Sequence, residues 1–273
     1  MGRSIAFLSD FGTGDRSVGI CHSVIRGIDA TLPIIDLSHA IAPQDVRGGA
    51  IALTDCLAYL PPGAVVLAVV DPGVGAQRRA VAIETASGLT FVGPDNGLLA
   101  PAIELGGGAV AVAELSNSPW RIEPVSSTFH ARDILAPVAA RRAAGWALAG
   151  AGQPLDTAML VGLSLPRAQA TAAGGVVAEA IEIDSFGNVR LAATLEDLTT
   201  AGLETGAQVE IDAGGLRTPA RFAATFGDVA EHEPLLFEDS GRSLAIAVNM
   251  GNAAAELGIK RGTRVRLLKV GAA

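Results

Sequence analysis

The sequence predicts an α/β protein in two parts: an N-terminal Rossmann-like α/β domain with a mostly parallel sheet, residues 1–165, and a smaller β-barrel-like C-terminal domain, residues 174–273. Two observations carry this reading. In the first half, short apolar runs alternate with segments of helical period, the pattern of strand–helix–strand units. From Gly174 onward that alternation gives way to short strand-like runs separated by Gly- and Asp-rich turns. A length of 273 residues agrees, because domains of ~150 residues make two a natural number.

Residues 5–8, 34–37 and 65–70 are continuous apolar runs broken only by Asp36, so they are expected as parallel strands buried on both faces. Between them, residues 16–28 and 44–60 repeat apolar side chains every three to four positions. The second segment starts after Pro43 and stops at Pro61-Pro62-Gly63. Residues 81–84 and 89–92 read as a hairpin around Ala86-Ser87-Gly88, residues 93–97 as a turn into another helix, and residues 131–148 as an alanine-rich helix. In the second half, strands are expected at 176–183, 189–191, 208–211, 216–223, 244–248 and 264–270, enough for a small barrel or sandwich. The boundary is expected between Gly150 and Gly174, with residues 171–175 at most a short linker.

A chain that is 49% hydrophobic and 18% charged folds around a core rather than staying disordered. Twenty Lys and Arg against 28 Asp and Glu give a net charge of −8, the wrong sign for tracking phosphates, so neither nucleic acid nor an anionic membrane is expected as a partner. The longest purely apolar run, residues 64–70, is far shorter than the ~20 residues of a membrane span. Asp10 and Asp15 interrupt any signal-peptide core near the N-terminus, so the protein is expected to be soluble and cytoplasmic. Cys21 and Cys56 have neither Cys-x-x-Cys spacing nor nearby His pairs, and read as ordinary buried thiols.

Parallel sheets place ligands beyond the carboxyl ends of their strands. Segments 9–15, 38–39 and 71–79 leave strands in that way and are expected to face one crevice. Gly12 and Gly14 do not follow Gly-x-Gly-x-x-Gly spacing, and Asp10 and Asp15 would repel phosphate. A nicotinamide-dependent dehydrogenase is therefore disfavoured, and a ligand with hydroxyls or positive charge preferred. Asp10 can accept both hydrogen bonds of a ribose diol, or cap the following helix. In 71–79 a carboxylate after a buried strand meets a Pro-Gly turn and two arginines. A guanidinium beside Asp71 would hold it ionised and oriented, unless the pair is a plain loop salt bridge. His22, His39 and His232 have no evident partner and read as structural, whereas His130 stands in a loop, 126–133, that enters a helix.

Five segments taken together resemble a known family. Leu8-Ser9-Asp10-Phe11-Gly12, Val70-Asp71-Pro72-Gly73-Val74-Gly75, Gly93-Pro94-Asp95-Asn96-Gly97, Thr128-Phe129-His130-Ala131-Arg132-Asp133 and Ile183-Asp184-Ser185-Phe186-Gly187-Asn188 look like the signature segments of the S-adenosylmethionine (SAM) hydroxide adenosyltransferases. These are SAM hydrolases related to the fluorinating and chlorinating SAM enzymes. The resemblance runs in order from about residue 5 to residue 258. It implies hydrolysis of SAM to adenosine and L-methionine, by in-line attack of activated water or hydroxide at C5′, with SAM as substrate and no metal or other cofactor. It further implies a homotrimer whose site lies between one subunit's N-terminal domain and its neighbour's C-terminal domain.

By the same resemblance Asp71, Arg78 and His130 are the catalytic set, and Asp10 matches the residue that grips the ribose hydroxyls. Asp184 matches the residue that meets the methionine ammonium, and Phe186 and Asn188 an aromatic face and amide beside adenine. Ser240 and Val248-Asn249-Met250 resemble the segment that binds the methionine carboxylate and the adenine edge, with Gly241 where the halogenases carry an arginine. The halogenating relatives have Tyr in place of Asp71 and Thr in place of Val74, which favours water as the nucleophile. A SAM-dependent halogenase and a non-catalytic SAM or adenosine sensor are the alternative readings.

Overall fold

A computed structural model describes residues 3–171 and 174–270, and the chain divides into two compact units, Met1–Leu165 and Pro166–Ala273. The first two residues of the N-terminal stretch and residues 172–173 of the linker lie outside the described residues. Among the described residues no helix is long and apolar enough to cross a membrane.

The N-terminal unit is built on strands β1 (Ile5–Ser9), β2 (Ile34–Ser38), β3 (Val65–Val69), β4 (Ala80–Thr85), β5 (Thr90–Pro94), β6 (Ala109–Glu114) and β7 (Gln153–Pro154), in the spatial order β2-β1-β3-β5-β4-β6-β7. β2, β1, β3 and β5 run parallel, and β4, β6 and β7 join them by antiparallel pairings. Helices α1 (Arg16–Ile28) and α2 (Val46–Leu57) connect the first three strands; α3 (Ala100–Leu105) and α4 (Ala136–Ala143) follow. Because side chains alternate across a strand, each continuous apolar run feeds two cores. Ile5, Phe7, Val65, Leu67 and Val69 pack with Cys21 and Ile25 of α1 and with α4, while Ala6, Leu8, Val66, Ala68 and Val70 pack with Leu53 of α2 and with α3.

Three expectations need correction. β2 is not buried on both faces: it is the edge strand, with a single neighbour, and its Ile35 and Asp36 are exposed. The second helix begins at Val46 rather than Gln44, whose φ of +66° is not helical, and Asp45 caps it through Gly48 N at 2.9 Å. The alanine-rich segment opens as a single π-helical turn, Ala131–Leu135, and its α-helix ends at Ala143. Pro137 has no N–H to return to the Asp133 carbonyl, and that carbonyl accepts from Ile122 N instead, at 2.7 Å.

The C-terminal unit is a closed barrel. Its strands are β8 (Gln169–Ala170), β9 (Gly175–Ile183), β10 (Val189–Leu191), β11 (Gln208–Ala213), β12 (Leu216–Phe222), β13 (Pro234–Glu238), β14 (Leu244–Val248) and β15 (Arg264–Lys269). The ring β9-β10-β14-β13-β12-β11-β15 returns to β9, with β8 flanking β9; β12 and β13 are parallel and the other pairs antiparallel. Val176, Ala178, Phe222, Ile246 and Leu267 fill the interior, and short helices α5 (Leu195–Thr200) and α6 (Ala253–Glu256) add Leu198 and Ala253 to that core.

Candidate active site

Loops leave the carboxyl end of the N-terminal sheet side by side. Asp10, directly after β1, donates its backbone N–H to Val69 O at 3.3 Å, and Gly12 donates to His39 O, just beyond β2, at 2.7 Å. The helix cap after β1 is Asp15, which accepts from Ser17 N at 2.6 Å, so the Asp10 carboxylate is not spent on that role. Its Oδ2 accepts from Gln44 N at 2.8 Å.

The loop after β3 carries Asp71 into a tight turn, with Val74 N donating to Asp71 O at 3.3 Å. The side chains of Asp71 and Arg78 are 6% and 10% exposed. Arg78 Nε lies 2.9 Å from each Asp71 oxygen, and its Nη2 also donates to Oδ2. The same Nη2 is 3.0 Å from His130 Nδ1, so one guanidinium joins the carboxylate to the imidazole. Burial, and then the Arg78 charge, hold His130 below its ordinary value of 6.5, against an opposite pull from Asp71 and Asp133.

Two loops must meet for this to happen, and Gly75 is where they do. Its φ is +76°, and a Cβ there would drive into the Ser127 carbonyl, in the segment that leads to His130. That segment is tied down by Asp133, which accepts from Ser126 N at 2.8 Å and from Arg132 at 2.6 and 2.8 Å. Burial pushes the Asp133 carboxyl upward, but these hydrogen bonds and the Arg132 charge outweigh it and hold the group below the ordinary carboxylate value. Phe129, next to His130, packs edge-to-face on Phe11 with centroids 6.1 Å apart, which links the segment to the loop of Asp10.

Two supporting residues sit in the segment read from the residues only as a turn, 93–97. Asn96 Nδ2 donates to Val70 O at 2.9 Å, fixing the backbone immediately before Asp71. Asp95 accepts from Arg79 Nε at 2.8 Å and from Val161 N at 2.8 Å, so the second arginine is held away from Asp71. The spacing of polar residues between glycines is their only local signal, beside the resemblance of residues 93–97 to a family signature segment. His22 and His39 also differ from expectation: both have partners, His22 in Asp36 at 2.9 Å and His39 in Ser9 Oγ at 2.8 Å.

In the barrel unit, Asp184 Oδ1 accepts from the backbone N–H of Phe186 and of Asn188, each at 2.9 Å, and Oδ2 from Asn188 Nδ2 at 2.8 Å. Gly187, φ +87°, brings this turn against Asn252, where a Cβ would collide with the amide. The turn holds Phe186 outward, 76% exposed, and Met250 is 77% exposed. Ser240 is exposed in the turn between β13 and β14, beside Gly241, at which a Cβ would meet Arg190 Nη2 at 2.8 Å. Val248 is buried in the barrel core, and the Asn249 amide donates to Val229 O at 3.1 Å, so Val248 can offer a ligand only backbone atoms. Cys21 and Cys56 are free thiols; burial pushes Cys21 up to about 12, which makes it an inert core residue.

Two family models match this chain: the SAM hydroxide adenosyltransferase N-terminal domain over residues 5–152 and the C-terminal domain over residues 178–266. A relative from Salinispora tropica named (R)-S-adenosyl-L-methionine hydrolase is 46% identical, over 96% of this chain and 97% of its own length. A Thermus thermophilus protein of the same name is 40% identical, over 97% of this chain and 100% of its own. Relatives named Fluorinase are more distant, at 31% for one from Actinoplanes. A crystal structure of an uncharacterized conserved protein from Thermotoga maritima superposes with a TM-score of 0.91 at 33% identity, covering 97% of this chain and 100% of that one.

Proposed function

Because the chain belongs to the SAM hydroxide adenosyltransferase family, we propose that it hydrolyses SAM to adenosine and L-methionine, with Asp71, Arg78 and His130 delivering water to C5′. The observation that carries the catalytic assignment is the Arg78 guanidinium shared between Asp71 and His130. Arginine has only N–H donors, so the His130 Nδ1 facing it is an acceptor, and the single ring proton belongs on Nε2. The lowered His130 pKa supports this neutral tautomer. Neither ring nitrogen is then free to take a proton: Nδ1 is engaged by Arg78, and Nε2 can only donate.

Asp71 is left as the proton acceptor. Its two oxygens offer about four lone-pair sites, of which Arg78 takes up to three, and a water bound at the remainder can be aimed along the line behind sulfur. As the water oxygen bonds to C5′, the C5′–S bond breaks and its electron pair stays on sulfur, giving the neutral thioether of methionine. The attacking oxygen turns strongly acidic as it bonds, so a carboxylate oriented by Arg78 can take its proton. Water alone balances the reaction, and the neutral leaving group needs no acid and no cofactor. Bulk water has a pKa of about 15.7 and is a poor nucleophile, so positioning must carry most of the acceleration, for which ~7–11 kcal/mol is attainable.

In this reading Asp10 holds the ribose hydroxyls through the carboxylate oxygen not engaged by Gln44. Asp184, Phe186, Asn188, Ser240 and the backbone at Val248, Asn249 and Met250 receive adenine and the methionine head in a homotrimer, the barrel of one copy serving the N-terminal unit of the next. Support for an intersubunit role comes from the exposed Phe186 and Met250, large apolar side chains held outward on the barrel. The Arg190 guanidinium beside Gly241 is paired with Asp239 at 3.3 Å and Glu182 at 3.4 Å.

Incubation with SAM in oxygen-18 water, followed by mass analysis of the nucleoside, tests reaction and nucleophile together. Adenosine carrying one solvent oxygen at C5′ is expected. Adenosine without the label would refute attack by solvent water, and retention of SAM or adenosine with no turnover over hours would refute the enzymatic reading.

A further inference from the structure

Away from Asp71, three side chains of metal-ligating type converge, and we propose that His22, Asp36 and His39 form a binding site for a divalent transition-metal ion of the Zn2+ class. His22 comes from α1, Asp36 from β2, and His39 from the residue after that strand. The Nε2 atoms of His22 and His39 lie 2.9 Å and 3.0 Å from Asp36 Oδ1, and the three ligating atoms all fall within 4.8 Å of one another.

The second, independent observation is His39 itself. Only 9% of the residue is exposed, and its Nε2 is buried without a hydrogen-bond partner: the 3.0 Å approach to Asp36 is poorly aligned for one. Its other nitrogen is satisfied, because Nδ1 lies 2.8 Å from the fully buried Ser9 Oγ. In the tautomer that the proposed site requires, the Nδ1 proton goes to that hydroxyl, which leaves the Nε2 lone pair toward the Asp36 carboxylate. A lone pair facing an anion is unfavourable unless something positive stands between them. Fixing a ligand histidine's tautomer from its far nitrogen is how outer partners of metal sites act. Phe7 packs edge-on against the His39 ring, centroids 4.7 Å apart, and holds it in that orientation.

The donor set selects the ion. Two imidazoles and one carboxylate suit zinc, cobalt or nickel, whereas magnesium and calcium prefer all-oxygen cages. Donors sharing a tetrahedral zinc at ~2.0–2.2 Å stand ~3.3–3.6 Å apart. The observed 2.9 and 3.0 Å need only a small opening, which His22, 31% exposed, can supply by rotating. The Asp36 side chain is 43% exposed, so the ion has access from solvent and room for a water ligand. Such an ion would clamp the edge strand β2, which has one neighbour, to α1. It would also brace the loop of Asp10, whose Gly12 donates to His39 O.

The test is metal binding by the chelator-stripped full chain, with Zn2+ alone in equilibrium dialysis and with Co2+ followed by its visible absorption. One ion per chain is expected, together with a cobalt spectrum that Zn2+ displaces. His22→Gln and Asp36→Asn, both at accessible positions, should each weaken binding at least about tenfold while circular dichroism stays native. His130→Gln and His232→Gln should leave it unchanged. No retained metal, or equal retention in His22→Gln and Asp36→Asn, would show a hydrogen-bonded His-Asp-His cluster only and overturn the proposal. Loss of binding in His130→Gln with retention in His22→Gln would overturn it too, by moving the ion to the reaction site.

Discussion

Replacing Asp71 by Asn keeps the shape of the side chain while removing its charge and half of its capacity to accept from Arg78. Arg78 donates to both carboxylate oxygens and reaches His130, so the substitution strikes the proposed proton acceptor and the contact that orients Arg78 against the imidazole together. Loss of a positioned base costs ~10²–10⁴-fold in rate, which is ~3–5 kcal/mol of barrier at about 1.4 kcal/mol per decade. Stability falls as well. Breaking a buried ion pair from one side costs ~3–5 kcal/mol, and with Arg78 10% exposed and the amide still accepting one hydrogen bond, the lower end of that range is expected. Chromatographic measurement of adenosine release, with kcat and KM determined separately and Tm in parallel, gives the comparison. We expect kcat down by ~10²–10⁴, with KM little changed, because Asp71 meets water rather than substrate. His130→Gln, whose amide oxygen still accepts from Arg78, should lose less. A folded Asp71→Asn protein with near-native kcat, beside a His130→Gln protein that is nearly inactive, would refute the tautomer argument and make the imidazole the base.

Asp10→Ala should raise KM and spare kcat, since its carboxylate is assigned to ribose; a native KM would count against that assignment. Gly75→Ala should lower kcat and Tm together. A left-handed φ costs a residue with a Cβ ~1–2 kcal/mol, and the new Cβ collides with the Ser127 carbonyl; native values of both would show that the two loops tolerate separation. The pH profile of kcat/KM should fall on the acid side with a midpoint below 6.5, because protonation puts an N–H on His130 Nδ1, facing the Arg78 donors. A midpoint at or above 6.5, or an acid limb whose midpoint does not move in His130→Gln, would contradict this. Stability follows the same sign: with the folded value lowered, the unfolded chain binds more protons between the two values. His130's contribution is therefore complete above about 6.5 and lost as pH falls through the folded value.

What the sequence showed depended on how far apart the interacting residues stand. β1 and β3 were legible because a run such as Val65–Val69 is apolar at every position, which only a strand covered on both faces needs. β2 has nearly the same texture, yet it lies at the sheet edge; its exposed Asp36 was the clue, and the partner that uses Asp36 stands 14 residues away on a helix. β6, Ala-Val-Ala-Val-Ala-Glu, went unread because small alanines give neither period clearly, and β13 because it opens on proline. Asp71 and Arg78, seven residues apart in one loop, were legible as a pair, but which of the two arginines turns inward was decided by Asp95, at 16 residues from Arg79. His130, 52 residues from Arg78, was reached through family resemblance and not through any local pattern.

The Asp71 carboxylate also bears on which nucleophile the proposed site accepts. An anion lined up behind sulfur would stand beside that carboxylate, and two unit charges ~4 Å apart repel by ~4 kcal/mol at an effective dielectric of ~20, about a thousandfold against halide. Arg78, in contact with the same carboxylate, offsets part of that repulsion, so this figure is an upper bound. Water meets the opposite situation: it has a proton to donate to the carboxylate, and its oxygen lone pair remains for carbon. In the proposed reaction the carboxylate that disfavours a halide is also the group that would take water's proton, so the preference would need no separate filter. Chloride or fluoride added in excess should leave adenosine as the sole nucleoside product of the native protein. A 5′-halogenated nucleoside would mean that Asp71 is neutral or turned away when substrate is bound.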